Sequence, residues 1–267
     1  MDISSVVGLV LGFVALLVGM TLKGVTPDAL INPAAILIIL VGTLATIIIA
    51  FPMNELKRVP KLFKIIFTTP KLASDVELIK MFSSWADLAR REGLLALESK
   101  MGEIDDPFLK NGLTLAIDGQ NADYIRDVLT EEVEAMEERH HAGAHIFTQA
   151  GTYAPTLGVL GAVVGLVAAL KDMTDIEKLG HAISAAFIAT LLGIFTGYVL
   201  WHPFANKLKR KSAIEVKQKN MMIEGILSVL EGEAPRVIEQ KLSSFLTKDE
   251  RAKIMDESEA GGLGKEE

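Results

Sequence analysis

Five histidines, His140, His141, His145, His181 and His202, carry all the imidazoles of this 267-residue chain. His141 and His145 stand four apart, the spacing that places two side chains on one helix face, where a metal could be held. No carboxylate joins them in a pattern that completes four ligands, so no metal is assigned and the pair is read as helix surface beside a membrane. Glu131, Glu132, Glu134, Glu137 and Glu138 crowd one short run. Such a run is more often a solvated helix face than a cation site. Cysteine is absent, which excludes disulfides, thiol nucleophiles and thiolate-bound metals. No phosphate loop with a Walker lysine, no HExxH and no GxSxG occurs. The chain is read as a non-enzyme without a cofactor.

The remaining chemistry lies in apolar stretches. Ile3–Leu22, Pro33–Phe51, Ile146–Leu170 and His181–Phe204 contain no Asp, Glu, Lys or Arg. Each is near the roughly 20 residues that cross a bilayer. Their polar side chains are neutral, among them Thr43, Thr46, Thr148, Gln149, Thr152, Thr156, Thr190 and Thr196. A proton relay or ion carrier inside lipid needs an ionisable group. If ions pass here, that group must come from another chain. Pro155 inside the third stretch and Pro203 at the end of the fourth remove helix hydrogen bonds, and the carbonyl that Pro155 frees is expected to face a channel or a partner helix. Gly8 and Gly12, Gly161 and Gly165, and Gly193 and Gly197 are spaced for close helix packing. The third stretch also carries Gly151 and Gly158. That is more small surface than one neighbour needs, and it predicts contact with other subunits or a partner helix.

Composition agrees. Half the residues are hydrophobic and mean hydropathy is +0.35, while aromatics are only 6%. The excess apolarity is aliphatic and unevenly spread, which excludes a plain soluble enzyme and a disordered chain. A net charge of −7 argues against nucleic acid as a partner. Of 27 Lys and Arg, only Lys23, Lys171 and Lys178 fall in the short connections 23–32 and 171–180. Clusters at Lys57, Arg58, Lys61, Lys64 and at Lys207, Lys209, Arg210, Lys211 abut the second and fourth stretches. The positive-inside rule then places both termini and the long loop in the cytoplasm. Met1-Asp2 carries no basic residue and no cleavage site follows, so the first stretch is expected to be a retained helix.

The segment order predicts an all-α polytopic membrane protein. Residues 1–52 hold the first two membrane helices, 53–145 a helical cytoplasmic domain, 146–204 the third and fourth helices, and 205–267 a helical tail with a disordered end at 261–267. Leu78, Met81, Phe82, Trp85 and Leu88 recur at helical spacing. Ile125, Val128, Leu129, Val133 and Met136 form a stripe on a helix expected to run on into the third span. Likewise 205–230 is expected to continue the fourth. Gly232 stops that helix, Pro235 opens another, and Thr247 with Glu250 forms a capping box.

Four segments carry a family resemblance: QAGTYAPTLG at 149–158, HAISAAFIATLLG at 181–193, LARREGLLALE at 88–98 and EGEAP at 231–235. They resemble the MotA family of flagellar motor stators, within the MotA/TolQ/ExbB proton channel group, and its Bacillus-like members most. The resemblance implies a ring of five chains on the cell membrane around two copies of a MotB-like single-span subunit. That subunit supplies the membrane aspartate, and ion flow turns the ring and drives the rotor through FliG. By the same resemblance Arg90 and Glu98, with Arg91 beside them, fall on rotor-contact positions. Eight residues apart, Arg90 and Glu98 are expected to share a face of one helical segment. Pro155 matches a proline near the partner aspartate, Pro235 a second family proline, and Thr190 a channel-facing threonine. Ala162 stands where sodium-driven relatives carry a threonine, so protons are favoured over sodium. The alternatives are a sodium-driven stator, an ExbB/TolQ-type energiser, and, from another class, a small transporter or passive scaffold. Two spans before the long loop, where energisers have one, favour the stator.

Overall fold

Asp2 begins the first helix by accepting the Ser5 amide at 3.2 Å, a cap that satisfies one of the free N–H groups of the opening turn. In the computed structural model, residues 1–69, 73–171 and 175–251 are described. Helix α1 (Ile3–Leu22) ends at Gly24, whose φ of 77° is the left-handed turn that glycine adopts most easily. A short 3₁₀ turn at Pro27–Leu30 leads to α2 (Pro33–Ala50). Asn32 caps α2 by accepting the Ala35 amide, and Pro33 fills its first position. Within α2 the turn widens to a π-type coil at Leu37–Val41. After one turn at Met53–Leu56 comes α3 (Val59–Phe67), apolar on one side and basic on the other.

Helix α4 (Asp75–Glu92) opens with a capping box between Ser74 and Glu77 and ends at Gly93, φ 86°. A 3₁₀ stretch, Leu94–Glu103, follows, then α5 (Pro107–Ile117), capped by Asp106. Two long helices complete the chain. Helix α6 (Ala122–Leu170) has 49 residues and α7 (Ile176–Leu230) has 55, so both membrane stretches do continue into the long polar helices expected of them. Gly232, φ 72°, stops α7, and Pro235 is the first residue of α8 (Pro235–Leu242). Thr247 and Glu250 exchange the capping-box hydrogen bonds at 3.0 and 3.4 Å. No strand occurs among the described residues. The segment 261–267, expected to be disordered, lies outside them.

The chain divides into two compact units. One comprises residues 1–70 and 139–211. Its four helices each hold an apolar window long enough to span a bilayer, and only 6% of the α1 window and 22% of the α2 window is buried within the chain. Surfaces that apolar need lipid or other chains to cover them. Edge-to-face rings of Phe63, Phe147, Trp201 and Phe204 close this unit where α3 packs on α6 and α7. The other unit comprises residues 71–138 and 212 onward, around a water-type core of Phe82, Trp85, Leu113, Leu129, Met221 and Ile226. Lys219 is nearly buried there. Its ammonium meets both Asp106 oxygens, at 2.9 and 2.7 Å, and the face of Phe108, so the charge is paired where it leaves water.

Candidate functional site

The third and fourth membrane helices meet backbone to backbone through glycine. A β-carbon placed on Gly193 would lie 2.7 Å from the Ala154 carbonyl oxygen and 2.8 Å from Gly158 Cα. One placed on Gly158 would lie 2.9 Å from the Ala189 carbonyl. No side chain fits either gap, so both positions need glycine for the approach of α6 and α7. Farther along, Gly151 sits against the His202 ring, and Gly161 and Gly165 against Ala189 and Ala186. All four glycines of the third span therefore face neighbours in their own chain. These contacts within the chain involve the fourth helix and, at Gly161, Ile38 of the second.

Pro155 lies half-buried in this seam. Having no N–H, it leaves the Gly151 carbonyl without its usual helix donor. Gly197 of α7 covers that oxygen: a β-carbon there would lie 2.8 Å from it and 2.7 Å from Pro155 Cγ. Gly197 falls in a second π-type turn, Thr196–Trp201. The freed carbonyl thus meets the chain's own fourth helix rather than an open channel, which corrects the expectation drawn from the proline alone. Thr190 is half-buried and donates to the Ala186 carbonyl at 3.3 Å, which leaves its oxygen able to accept a hydrogen bond. Ala162, also half-buried, follows Gly161, whose β-position lies 3.5 Å from Ala189 Cβ, and Thr190 follows Ala189.

The charged candidates sit in the other unit. Arg90 and Arg91 are in the last turn of α4, and Glu98 lies beyond Gly93 in the 3₁₀ stretch. The expected single helical segment is thus broken: the φ of 86° at Gly93 turns the chain between them. All three side chains are exposed. Arg91 pairs with Asp87 at 2.8 Å one turn back, whereas among the described residues neither Arg90 nor Glu98 has an ion-pair partner. Pro235 starts α8, which packs on α4, and Ser83 donates to Glu239 across that contact at 2.7 Å. Arg126 and Lys241 both pair with Glu224, at 2.7 and 3.3 Å. Burial works against the charged form of Glu224, but these two cations outweigh it and hold the carboxyl below its ordinary value. His145 meets the Gln149 amide and the edge of Phe51, and no cluster of three metal-ligating side chains occurs among the described residues.

One polar centre escaped the sequence reading. Asp2 receives Lys207 at 2.9 Å and Lys211 at 3.2 Å, and its backbone N–H donates to the Phe67 carbonyl. Lys211 also donates to the carbonyls of Ile65, Ile66 and Thr68, satisfying the end of α3. Hydrogen bonding from Lys207, helped by Ser4, the Ser5 amide and Lys211, holds the Asp2 carboxyl far below the usual carboxylate range against the cost of burial. The sequence signal was an Asp one residue before a span, which reads as a helix cap.

Comparison with known proteins places these features. Residues 6–93 match the motility protein A N-terminal domain, and residues 100–221 match the MotA/TolQ/ExbB proton channel family. The chain is 65% identical to Motility protein A of Bacillus subtilis over 268 residues, covering 100% of this chain and 99% of that protein. The solved flagellar MotAB stator complex of Bacillus subtilis contains a chain with TM-score 0.91 and 66% identity, covering 95% of this chain and 99% of that one. A chain of the C. jejuni MotAB structure matches with TM-score 0.89 and 34% identity, over 93% and 97%. Full-length identity and a shared fold together make the chain a member of the MotA/TolQ/ExbB proton channel family, as a non-enzymatic stator subunit of the flagellar motor.

Proposed function

We propose that five copies of this chain surround two copies of a MotB-like single-span subunit, and that proton flow through the assembly turns the ring against the rotor protein FliG. The carrying observation is the likeness, over nearly the full length, to a chain of a solved stator complex. The lack of any Asp, Glu, Lys or Arg in the four apolar stretches supports a partner that brings the proton-binding carboxylate. The Lys and Arg asymmetry supports cytoplasmic termini and a cytoplasmic 53–145 segment. Arg90 and Glu98, exposed and without an ion-pair partner among the described residues, suit a charged partner surface, with Arg91 beside them. Pro155 and Thr190 lie on the helix pair that faces the carboxylate in this arrangement, and Pro235 sets the α8 contact under the rotor-facing helix.

Protons are the coupling ion in this reading. A hard cation such as sodium needs oxygen ligands, and the Ala162 methyl offers none. The test is the complex purified with its partner: native mass spectrometry is expected to give five chains to two. Speed of cells with this stator alone is expected to fall with a protonophore and to ignore sodium removal. A different ratio, or speed that rises with sodium and survives a protonophore, would overturn the reading.

A further inference from the structure

The coil from Met53 through Phe67 is nearly continuous. The Lys57 amide donates to the Met53 carbonyl at 3.1 Å, Arg58 to Glu55 at 3.0 Å and Leu62 to Arg58 at 3.0 Å. At helical spacing Lys57, Lys61 and Lys64 fall on one line, with Asn54 and Arg58 beside it. All five are exposed. Val59, Leu62, Phe63 and Ile66 fall on the opposite side, and that side is docked. The Phe63 ring lies 5.1 Å from that of Phe147, a β-carbon on Gly143 would lie 3.0 Å from Leu62, and Ile66 is fully buried. Docking of the apolar side fixes the basic side outward.

These four cations are left without counter-charge by the chain. Among the described residues none of Lys57, Arg58, Lys61 and Lys64 has an ion-pair partner, whereas Lys207 and Lys211 of the same unit both pair with Asp2. The one acid between 52 and 69 is Glu55, spaced with Val59 and Leu62 on the docked side. Four like charges on one short face repel each other and call for anions. The place of the patch says which anions. Ile48 and Ile49 at the end of α2, and Met53 after it, are exposed apolar residues, so a lipid-type surface reaches to within one turn of Lys57. Apolar surface that gives way within a turn to a row of cations matches a lipid monolayer in section, with alkyl chains first and phosphates next. An acidic protein surface would match the cations but not the apolar surface that runs up to them.

We propose that the outer face of α3 binds the headgroups of anionic phospholipids, their phosphates on Lys57, Arg58, Lys61 and Lys64. Each subunit then gathers negatively charged lipid at this rim of the membrane.

The test uses the full chain, purified with its single-span partner into nanodiscs of mixed phosphatidylglycerol and phosphatidylcholine. The chain has no cysteine, so Asn54→Cys, with any partner cysteine replaced, takes one fluorescent label beside the patch. Phosphatidylglycerol or phosphatidylcholine carrying a nitroxide high on the acyl chain is added at the same small fraction, and quenching is compared. The phosphatidylglycerol probe is expected to quench about threefold more strongly, because each cation near an anionic surface favours it. A label at Ile31→Cys, exposed at the other end of α2, is expected to show no preference. Replacing all four cations by Gln is expected to erase the preference, and replacing the three lysines by Arg to keep it. In the unaltered patch, about 1 M salt is expected to remove most of it, since the screening length there falls to a few ångströms. Salt reads the same attraction even if the fourfold variant fails to assemble. Equal quenching by the two lipids at position 54, a preference that survives both salt and the Gln replacements, or an equal preference at position 31 would overturn the proposal. So would acidic side chains of a neighbouring subunit or of the partner found seated on the four cations.

Discussion

At the scale of residues, charge and glycine decide most of what this chain can do. Arg90 and Glu98 carry opposite charges, without an ion-pair partner among the described residues, at the end of α4 and on the stretch after Gly93. Exposed charges act mainly on encounter and partner choice. Arg90→Glu or Glu98→Lys is therefore expected to slow swimming strongly while membrane level and complex assembly stay normal. A compensating charge reversal in the rotor is expected to restore it. Unaltered swimming of the double reversal with an unaltered rotor would exclude direct contact. Asp2 makes a different kind of prediction. Its folded-state pKa lies below the unfolded value, so its pairing with Lys207 and Lys211 stabilises the fold at all pH above about 4 and fades as pH falls below that. Asp2→Asn is expected to cost roughly 1 kcal/mol at pH 7, allowing for solvent at the membrane rim, with the gap to wild type closing in acid. Thermal unfolding in detergent between pH 3 and pH 7 measures it. The sequence exposed the charges of Lys207 and Lys211 but not their partner. Proximity between residues about 200 apart leaves no trace in local spacing.

At the scale of elements, periodicity and punctuation were readable. The four membrane helices, the run of α6 and α7 beyond them, the stop at Gly232 and the start at Pro235 all follow from apolar spacing and from Gly and Pro. What each glycine faces was not readable. Spacing marks a small surface but not the neighbour, and here the neighbour is the chain's own fourth helix. Likewise the eight-residue spacing of Arg90 and Glu98 suits two turns of one helix, whereas Gly93 between them is the signal of the break. The Gly197 contact is testable at this scale. Gly197→Val puts methyl groups onto Pro155 and the Gly151 carbonyl, and overpacking of that kind costs about 1–3 kcal/mol. Gly8→Val adds the same bulk where nothing lies within 4 Å. A markedly lower unfolding temperature for Gly197→Val than for Gly8→Val is expected. Equal values would remove the role given to this seam.

At the scale of the whole molecule, the four apolar stretches hold no Asp or Glu, and the proposed arrangement has the ion path completed by another chain. Proton uptake into vesicles, read by an internal pH-sensitive dye under an imposed potential, tests this most directly. Vesicles holding this chain alone are expected to match empty ones. Vesicles holding the complex with its single-span partner are expected to take up protons, and replacing the partner's membrane Asp with Asn is expected to stop them. Uptake by the chain alone at the rate of the complex would contradict the account.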